Sequence, residues 1–174
     1  MTRRYSVGIV GATGIAGQQF VVALARHPWF TLRRLAASER SAGKRFGEAL
    51  RDPHTGARRW WCDEEPSPEV LSIPVENGDA FDPSDLDVVF SATESEVAQV
   101  QEPRFAKTTA VVSTASAFRS EADVPLLVPN VNMAHAASSI SSGRTAAGAA
   151  SWSPSPTAPP WRSEERRVGK ECRL

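Results

Sequence analysis

The sequence predicts an α/β domain built on a mostly parallel, doubly wound sheet. Three observations predict it. Strand-like and helix-like segments alternate from Tyr5 to Thr114, the pattern of strands joined by right-handed helical crossovers. The run Asp87–Ala92 is continuously apolar, as a strand covered on both faces is, and Thr109–Thr114 reads the same way. A glycine-rich turn follows the first strand and opens the first helix.

The elements follow in order. Tyr5–Val10 is a short apolar strand. Gly14–Arg26 is helical, with Ile15, Phe20, Val21 and Leu24 near one face, and His27-Pro28 ends it because the residue before proline avoids the helical region. Thr31–Ala37 is the second strand. Val70–Val75 reads as a third, interrupted by Pro74. Asp87–Ala92 is the fourth. Glu94–Lys107 is a helix with Pro103 as an irregularity inside it, and Thr109–Thr114 closes the series. After His135 the periodicity stops. Residues 136–161 are Ala, Ser, Gly and Pro with two tryptophans, and residues 162–174 are abruptly charged, so the sheet is expected to be truncated and followed by an irregular tail.

Composition narrows the function classes. The chain has 174 residues, enough for one domain with a core, and 20 basic against 20 acidic side chains, which gives no reason to expect nucleic acid as a partner. No apolar run approaches the roughly 20 residues that span a bilayer. Val7–Val10 leads directly into glycines and is a strand rather than a targeting segment. Two cysteines, Cys62 and Cys172, have no metal-like spacing and form no disulfide framework. A soluble, cytoplasmic domain without a metal site is the expectation.

The chemistry-bearing motif is Gly8-Ile-Val-Gly11-Ala-Thr-Gly14-Ile-Ala-Gly17. In a Rossmann-type fold such a turn brings the backbone close to a phosphate, while the helix behind it offers unpaired N–H groups and the positive end of its dipole. Gly11 and Gly14 make the turn and the close approach, and Gly17 lets the helix pack on the strand. A dinucleotide is the expected ligand; a glycine turn that binds nothing is the alternative. The end of the second strand selects the dinucleotide. Ala36-Ala37-Ser38-Glu39-Arg40-Ser41, followed by Lys44 and Arg45, sets hydroxyls and a guanidinium where a 2′-phosphate would lie. NADP is favoured over NAD, although Glu39, if it pointed inward, would argue for a ribose hydroxyl instead.

Taken together, Gly11-Ala-Thr-Gly14-Ile-Ala-Gly17, His27-Pro-Trp-Phe30, Ala36-Ala-Ser-Glu-Arg-Ser-Ala-Gly-Lys44, Asp87-Val-Val-Phe-Ser-Ala92, Ser116-Ala-Phe-Arg119 and Asp123-Val-Pro-Leu-Leu-Val-Pro129 resemble aspartate-semialdehyde dehydrogenase in its archaeal and fungal-like branch. The resemblance covers about residues 5–135 and makes residues 1–135 the NADP-binding domain. It implies reduction of aspartyl 4-phosphate to aspartate 4-semialdehyde with NADPH, in the biosynthesis of lysine, methionine, threonine and isoleucine. It also implies a cysteine nucleophile, a histidine acid/base and a homo-oligomeric intact enzyme. Carried over by position, Thr13, Gly14, Ile15 and Ala16 fall on the pyrophosphate loop, Ser38, Arg40 and Ser41 on the 2′-phosphate contacts, Ser91 where the fourth strand meets the cofactor, and Arg119 on the substrate phosphate. Read from its own surroundings, Arg119 is an ordinary surface arginine; only the resemblance gives it a role. Thr114 stands where the family usually has Asn, and Asn130 where it has Glu. A malonyl-coenzyme-A reductase resembles the same branch, and a non-catalytic NADP-binding module is the reading from a different class.

The nucleophile should follow the Val-Asn-Met-Ala-His135 segment within Asn-Cys-Thr-Thr or a close variant, and no such motif is present. Cys62, among arginines and with no histidine at a family position, reads as structural. Residues 136–161 read as family coding sequence in a shifted frame: Pro156-Thr-Ala-Pro-Pro-Trp161, read from each codon's third base, can spell Asn-Cys-Thr-Thr-Val. Residues 162–174 resemble translated sequencing adapter. The chain as it stands is therefore expected to bind cofactor, to expose apolar surface, and not to turn over.

Overall fold

The computed structural model describes residues 4–121, 124–127 and 131–132. Five strands form one parallel sheet: β1 (Tyr5–Val10), β2 (Phe30–Ala37), β3 (Val75–Asn77), β4 (Val88–Ser91) and β5 (Ala110–Ser113), in the order β3-β2-β1-β4-β5. The chain winds from β1 outward to β3, then returns to the other side of β1 for β4 and β5. The reversal puts a topological switch point between β1 and β4, where α/β sheets open a ligand crevice at the carboxyl ends of their strands. The helices are α1 (Ile15–Ala25), α2 (Phe46–Ala49), α3 (Pro68–Leu71) and α4 (Ser95–Phe105).

Strand alternation builds two cores, one on each face. Val7, Ile9, Leu35, Ala37 and Val75 pack with Val21, Leu24, Phe46, Leu50 and Val70 on the face that carries α1, α2 and α3. Val10, Ala36 and Val89 pack with Phe81, Leu86 and Phe105 on the face that carries α4. Gly8 lies beneath that second cluster, where a Cβ would stand 2.6 Å from Leu86 Cδ1, so a side chain there would require Leu86 to shift. Phe90 joins α1 to the start of β2 through ring contacts with Phe20 and Phe30, at centroid separations of 5.1 and 5.7 Å.

The expected β1, β2, β4 and β5 all form, within a residue or two of their anticipated ends, but β5 is not the buried strand expected: only Ala110 is buried, and Val112 and Ser113 are exposed at the edge of the sheet. The expected strand at Val70–Val75 does not form. Its first half is α3, begun by Ser67, whose hydroxyl accepts from the Val70 N–H, and by Pro68 in the first turn. Pairing with β2 starts only after Pro74, which has no N–H to give. The short helix α2 had no counterpart among the expected elements. The helix expected at Glu94–Lys107 is α4, and Pro103 lies inside it as anticipated.

β3 is a three-residue edge strand, and side chains do much of the work of holding it. Arg34 on β2 donates to both carboxylate oxygens of Glu76, at 2.8 and 2.7 Å, and also to the Asp82 carbonyl and the Asp85 carboxylate. Its guanidinium lies 4.6 Å over the Phe81 ring. The same carboxylates hold the Arg34 pKa well above its ordinary value, Glu76 most strongly. The segment after β2 hangs from β3: the Gly43 N–H donates to Val75 O and the Val75 N–H to Lys44 O, both at 2.8 Å.

Among the described residues no helix is long and apolar enough to cross a membrane. Val112 on β5, together with Leu126, Leu127 and Val131 beyond it, presents apolar surface outward. The expectations for residues 136–161 and 162–174, including Cys172, and the departure at Asn130 lie outside the described residues.

Candidate functional site

The site begins where β1 ends. Val10 pairs with Ala36 on β2 and with Ser91 on β4, and Ser91 pairs with Ser113 on β5. The loops that follow these residues all leave from one row across the sheet. The residues expected to contact cofactor and substrate lie along that row: Gly11 to Ala16 after β1, Ser38 to Ser41 after β2, Ser91 as the last residue of β4, and Arg119 after β5.

Backbone contacts set the shape of the turn after β1. The Gly11 and Ala12 N–H groups both donate to Ala36 O, at 2.9 and 3.0 Å, which pulls the turn onto β2. Gly11 has φ +81, a left-handed conformation, and a Cβ there would stand 2.4 Å from Ala92 O. Gly17, one turn into α1, faces back onto the same loop, with a virtual Cβ 2.2 Å from Gly11 O. Two glycines thus let β1, α1 and the β4–α4 loop close on one another. Gly14 is the N-cap of α1, with no side-chain cap and no acidic residue in the first turn. The N–H groups of Ile15 and Ala16 fall in that turn, where a helix has no internal acceptor to offer. Gly14, Ile15 and Ala16 are exposed and Thr13 is half-buried. The turn therefore presents open backbone donors and the positive end of a helix, with no carboxylate in the first turn to oppose an anion.

The loop after β2 is a compact turn, with the Ser41 N–H on Ser38 O and the Ala42 N–H on Glu39 O. Ser38, Glu39 and Arg40 are exposed, whereas Ser41 is buried. Lys44 Nζ donates to the Arg40 carbonyl, adding a second positive charge to the loop. Ser91 is fully buried. Its hydroxyl lies 3.3 Å from Thr93 Oγ1, and its carbonyl accepts from the Thr114 N–H. Arg119 is exposed, in a loop tied back to the start of α4 by a 2.6 Å contact between the Ser116 and Ser95 hydroxyls.

Gln18 was missed in the sequence, where it reads as one more polar residue on an amphipathic helix. It is completely buried, and its amide makes three hydrogen bonds to backbone: Nε2 to Thr13 O at 3.0 Å, Nε2 to Arg59 O at 2.9 Å, and Oε1 from the Trp61 N–H at 2.8 Å. No sequence period signals this; the glycine turn that ends at Gly14, four residues upstream, is the only hint.

Cys62 lies in the segment that Gln18 secures. Burial, and secondarily the Asp63 carboxylate, pushes its thiol pKa up, the opposite of what a nucleophile needs. Among the described residues no group of three His, Cys, Asp or Glu side chains could hold a metal ion.

The chain is similar to known proteins over most of its length. The family model for the semialdehyde dehydrogenase NAD-binding domain matches residues 6–139. The aspartate-semialdehyde dehydrogenase of Archaeoglobus fulgidus is 44% identical over 139 residues, covering 76% of this chain and 36% of that protein. The enzyme of the same name from Saccharomyces cerevisiae is 37% identical over 137 residues, covering 78% and 35%. Among solved structures, aspartate semialdehyde dehydrogenase with NADP from Candida albicans superposes with a TM-score of 0.67 at 35% identity, over 80% of this chain and 39% of that one. A Vibrio cholerae aspartate semialdehyde dehydrogenase II complexed with ASA gives 0.59 at 28% identity, over 78% and 35%. The chain thus spans little more than a third of the length of these relatives. Its strand order, its glycine turn and the match over residues 6–139 place it in the semialdehyde dehydrogenase family, as that family's NAD-binding domain.

Proposed function

We propose that this chain is the cofactor-binding part of an NADP-dependent aspartate-semialdehyde dehydrogenase, the enzyme that reduces aspartyl 4-phosphate to aspartate 4-semialdehyde and releases phosphate. The observation that carries the reading is the pairing of two anion sites at the carboxyl ends of adjacent strands. The glycine turn after β1 offers backbone donors for a pyrophosphate. The loop after β2 offers Ser38, Arg40 and Ser41 for a 2′-phosphate, with its acidic residue, Glu39, exposed. The glycines whose Cβ would strike backbone let β1, α1 and the β4–α4 loop close up, which fixes the shape of the turn that offers those donors. The residues fit the group.

When bound, NADPH supplies the hydride. This domain's residues bind and orient. Thr13, Gly14, Ile15 and Ala16 hold the pyrophosphate on the α1 N-terminus. Arg40, with Ser38 and Ser41 in the same loop, would hold the 2′-phosphate. Ser91, buried at the end of β4 with its hydroxyl near Thr93, would support the β4–α4 loop where that strand meets the cofactor, and Arg119 would engage the substrate phosphate. The reaction further needs a cysteine thiolate and a histidine. Cys62 is unsuited to that role, and Cys172 sits in the charged tail, so the chain alone binds cofactor without turnover.

The test is a titration of the purified chain with NADPH and NADH, repeated on Arg40→Ala. NADPH should bind more tightly than NADH, and the substitution should weaken NADPH by about tenfold or more while moving NADH little. Equal or tighter binding of NADH by the unaltered chain would refute the assignment of the β2 loop.

A further inference from the structure

The peptide unit between Thr13 and Gly14 is held at both ends. Its N–H donates to Gly11 O at 3.0 Å, and its carbonyl accepts from Gln18 Nε2 at 3.0 Å. This unit enters α1, so its rotation sets where the Thr13 side chain and the Ile15 N–H point. The N–H end is secured within the turn itself. The carbonyl end is secured by a side chain from one turn further along, itself completely buried. The Gln18 amide is not free to swing away, because its remaining capacity is used on the segment Arg59–Trp61: Nε2 also donates to Arg59 O, and Oε1 accepts from the Trp61 N–H. That segment is anchored in turn. Trp60 packs edge-on to Phe46 at 6.4 Å, and its indole N–H donates to Glu64 O.

We infer that Gln18 is a positioning residue for the cofactor pyrophosphate: its amide locks the Thr13–Gly14 peptide against the Arg59–Trp61 segment, so that the donors of the α1 N-terminus are aimed before the phosphate arrives. Gln18 touches no cofactor atom; it acts through the turn. The inference rests on the reading of that turn as a pyrophosphate site. Burial favours a donor amide here over any other side chain. Both carbonyls need a proton from one nitrogen, and the Trp61 N–H needs an acceptor on the same group, which an amide alone supplies at this length. A glutamate would keep the acceptor and set a carboxylate against two carbonyl oxygens. A methionine would fill the volume and satisfy none of the three.

The experiment compares two ligands on the full chain, unaltered and as Gln18→Glu and Gln18→Met. NADPH uses both anion sites, whereas 2′-AMP reaches only the β2 loop. Each substitution should weaken NADPH by about tenfold, the equivalent of one lost orienting hydrogen bond. Binding of 2′-AMP should stay within about twofold. NADPH binding left unchanged, or both ligands weakened in parallel as a general loosening would do, overturns the inference. Hydrogen exchange on the unaltered chain gives a readout that does not depend on how the variants fold. NADPH should slow exchange of the Trp61 amide, which Gln18 secures, along with that of Ile15 and Ala16. An unmoved Trp61 amide counts against the linkage. Failure of the unaltered chain to bind NADPH would sink the pyrophosphate reading itself and is told apart by that first titration.

Discussion

Replacing Gly17 with alanine tests the geometry of the phosphate turn most severely. The added methyl would lie 2.2 Å from Gly11 O, 2.7 Å from Ala12 Cα and 2.8 Å from Gly11 C. All three are backbone atoms, so no side chain can rotate away. Ordinary contact requires α1 and the turn to separate by roughly 1 Å, against the two hydrogen bonds that fix the turn to Ala36 O. Overpacking of this kind costs about 2–3 kcal/mol. For a domain of ~130 residues that lowers the melting temperature by roughly 6–12 °C. Cofactor binding should suffer separately, because the displaced atoms belong to the turn that leads into the proposed pyrophosphate donors at Thr13–Ala16. NADPH should bind about tenfold more weakly even at a temperature where the variant is fully folded. Gly56→Ala is the control. Gly56 has φ +67 and nothing within 4 Å of its virtual Cβ, so it should lose about 1–2 kcal/mol through backbone strain alone and keep its affinity. The assays are thermal unfolding and NADPH titration by tryptophan fluorescence. A Gly17→Ala chain that melts within about 1 °C of the parent and binds NADPH equally well would refute the close packing of α1 on the turn.

Three further outcomes are expected. Arg34→Met removes the charge-assisted bonds to Glu76 and Asp85 but keeps an apolar stem over Phe81. Because the pair is partly solvated, the loss should be about 1–2 kcal/mol by urea denaturation, and no loss would show the clamp to be ornamental. The Cys62 thiol, its pKa raised by burial and by Asp63, should react slowly with a thiol reagent at pH 7 and faster above pH 9; complete labelling within minutes at neutral pH would contradict its environment. Burial, and then the Arg4 charge, lowers the His27 pKa from its ordinary 6.5, while Nδ1 accepts from the Trp29 N–H. The unfolded chain therefore takes up the proton first, so this contribution to stability is complete above pH 6.5 and is lost as pH falls through the lowered folded value. His27→Asn should flatten the fall in melting temperature between pH 7 and pH 5, and an unchanged slope would rule the histidine out as its source.

The parts legible in the sequence are those where one residue type has one physical use. Gly11 and Gly17 could be read because a left-handed turn and a helix lying against backbone admit little else. The runs ending at Val10 and Ser91 could be read because strands buried on both faces are apolar without alternation, whereas the apolar run of β5 has Val112 and Ser113 exposed and gave the strand without its burial. The apolar letters of Val70–Val75 served two purposes that periodicity cannot separate. Val70 and Leu71 pack a short helix and Val75 a strand, and the deciding signals, Ser67 and Pro68, lie upstream of the run. Gln18 was illegible for another reason. Its role depends on Arg59 and Trp61, some forty residues away, which come beside it only once α1 and the segment before α3 pack on the same face. The role of Arg34 is non-local in the same way: Glu76, the Asp82 carbonyl and Asp85 lie more than forty residues along the chain and meet it only once β3 pairs with β2.

The way the β2 loop hangs from β3 gives the dissolved electrolyte two routes to the cofactor. Salt screens the attraction between Arg40 and a 2′-phosphate directly. It also weakens the Arg34 ion pair on the opposite side of the strand, and with it the hold on a three-residue edge strand from which Gly43 and Lys44 are suspended. Short edge strands are where a native domain opens first without unfolding globally. Each such opening would release the β2 loop, the proposed 2′-phosphate site, from the Gly43 and Lys44 bonds to Val75, while the bonds of the glycine turn to Ala36 O remain. Selectivity between the two nicotinamide cofactors should therefore decline more steeply with ionic strength than the charge of one arginine accounts for, and Arg34→Met should make that decline shallower by having already released the strand.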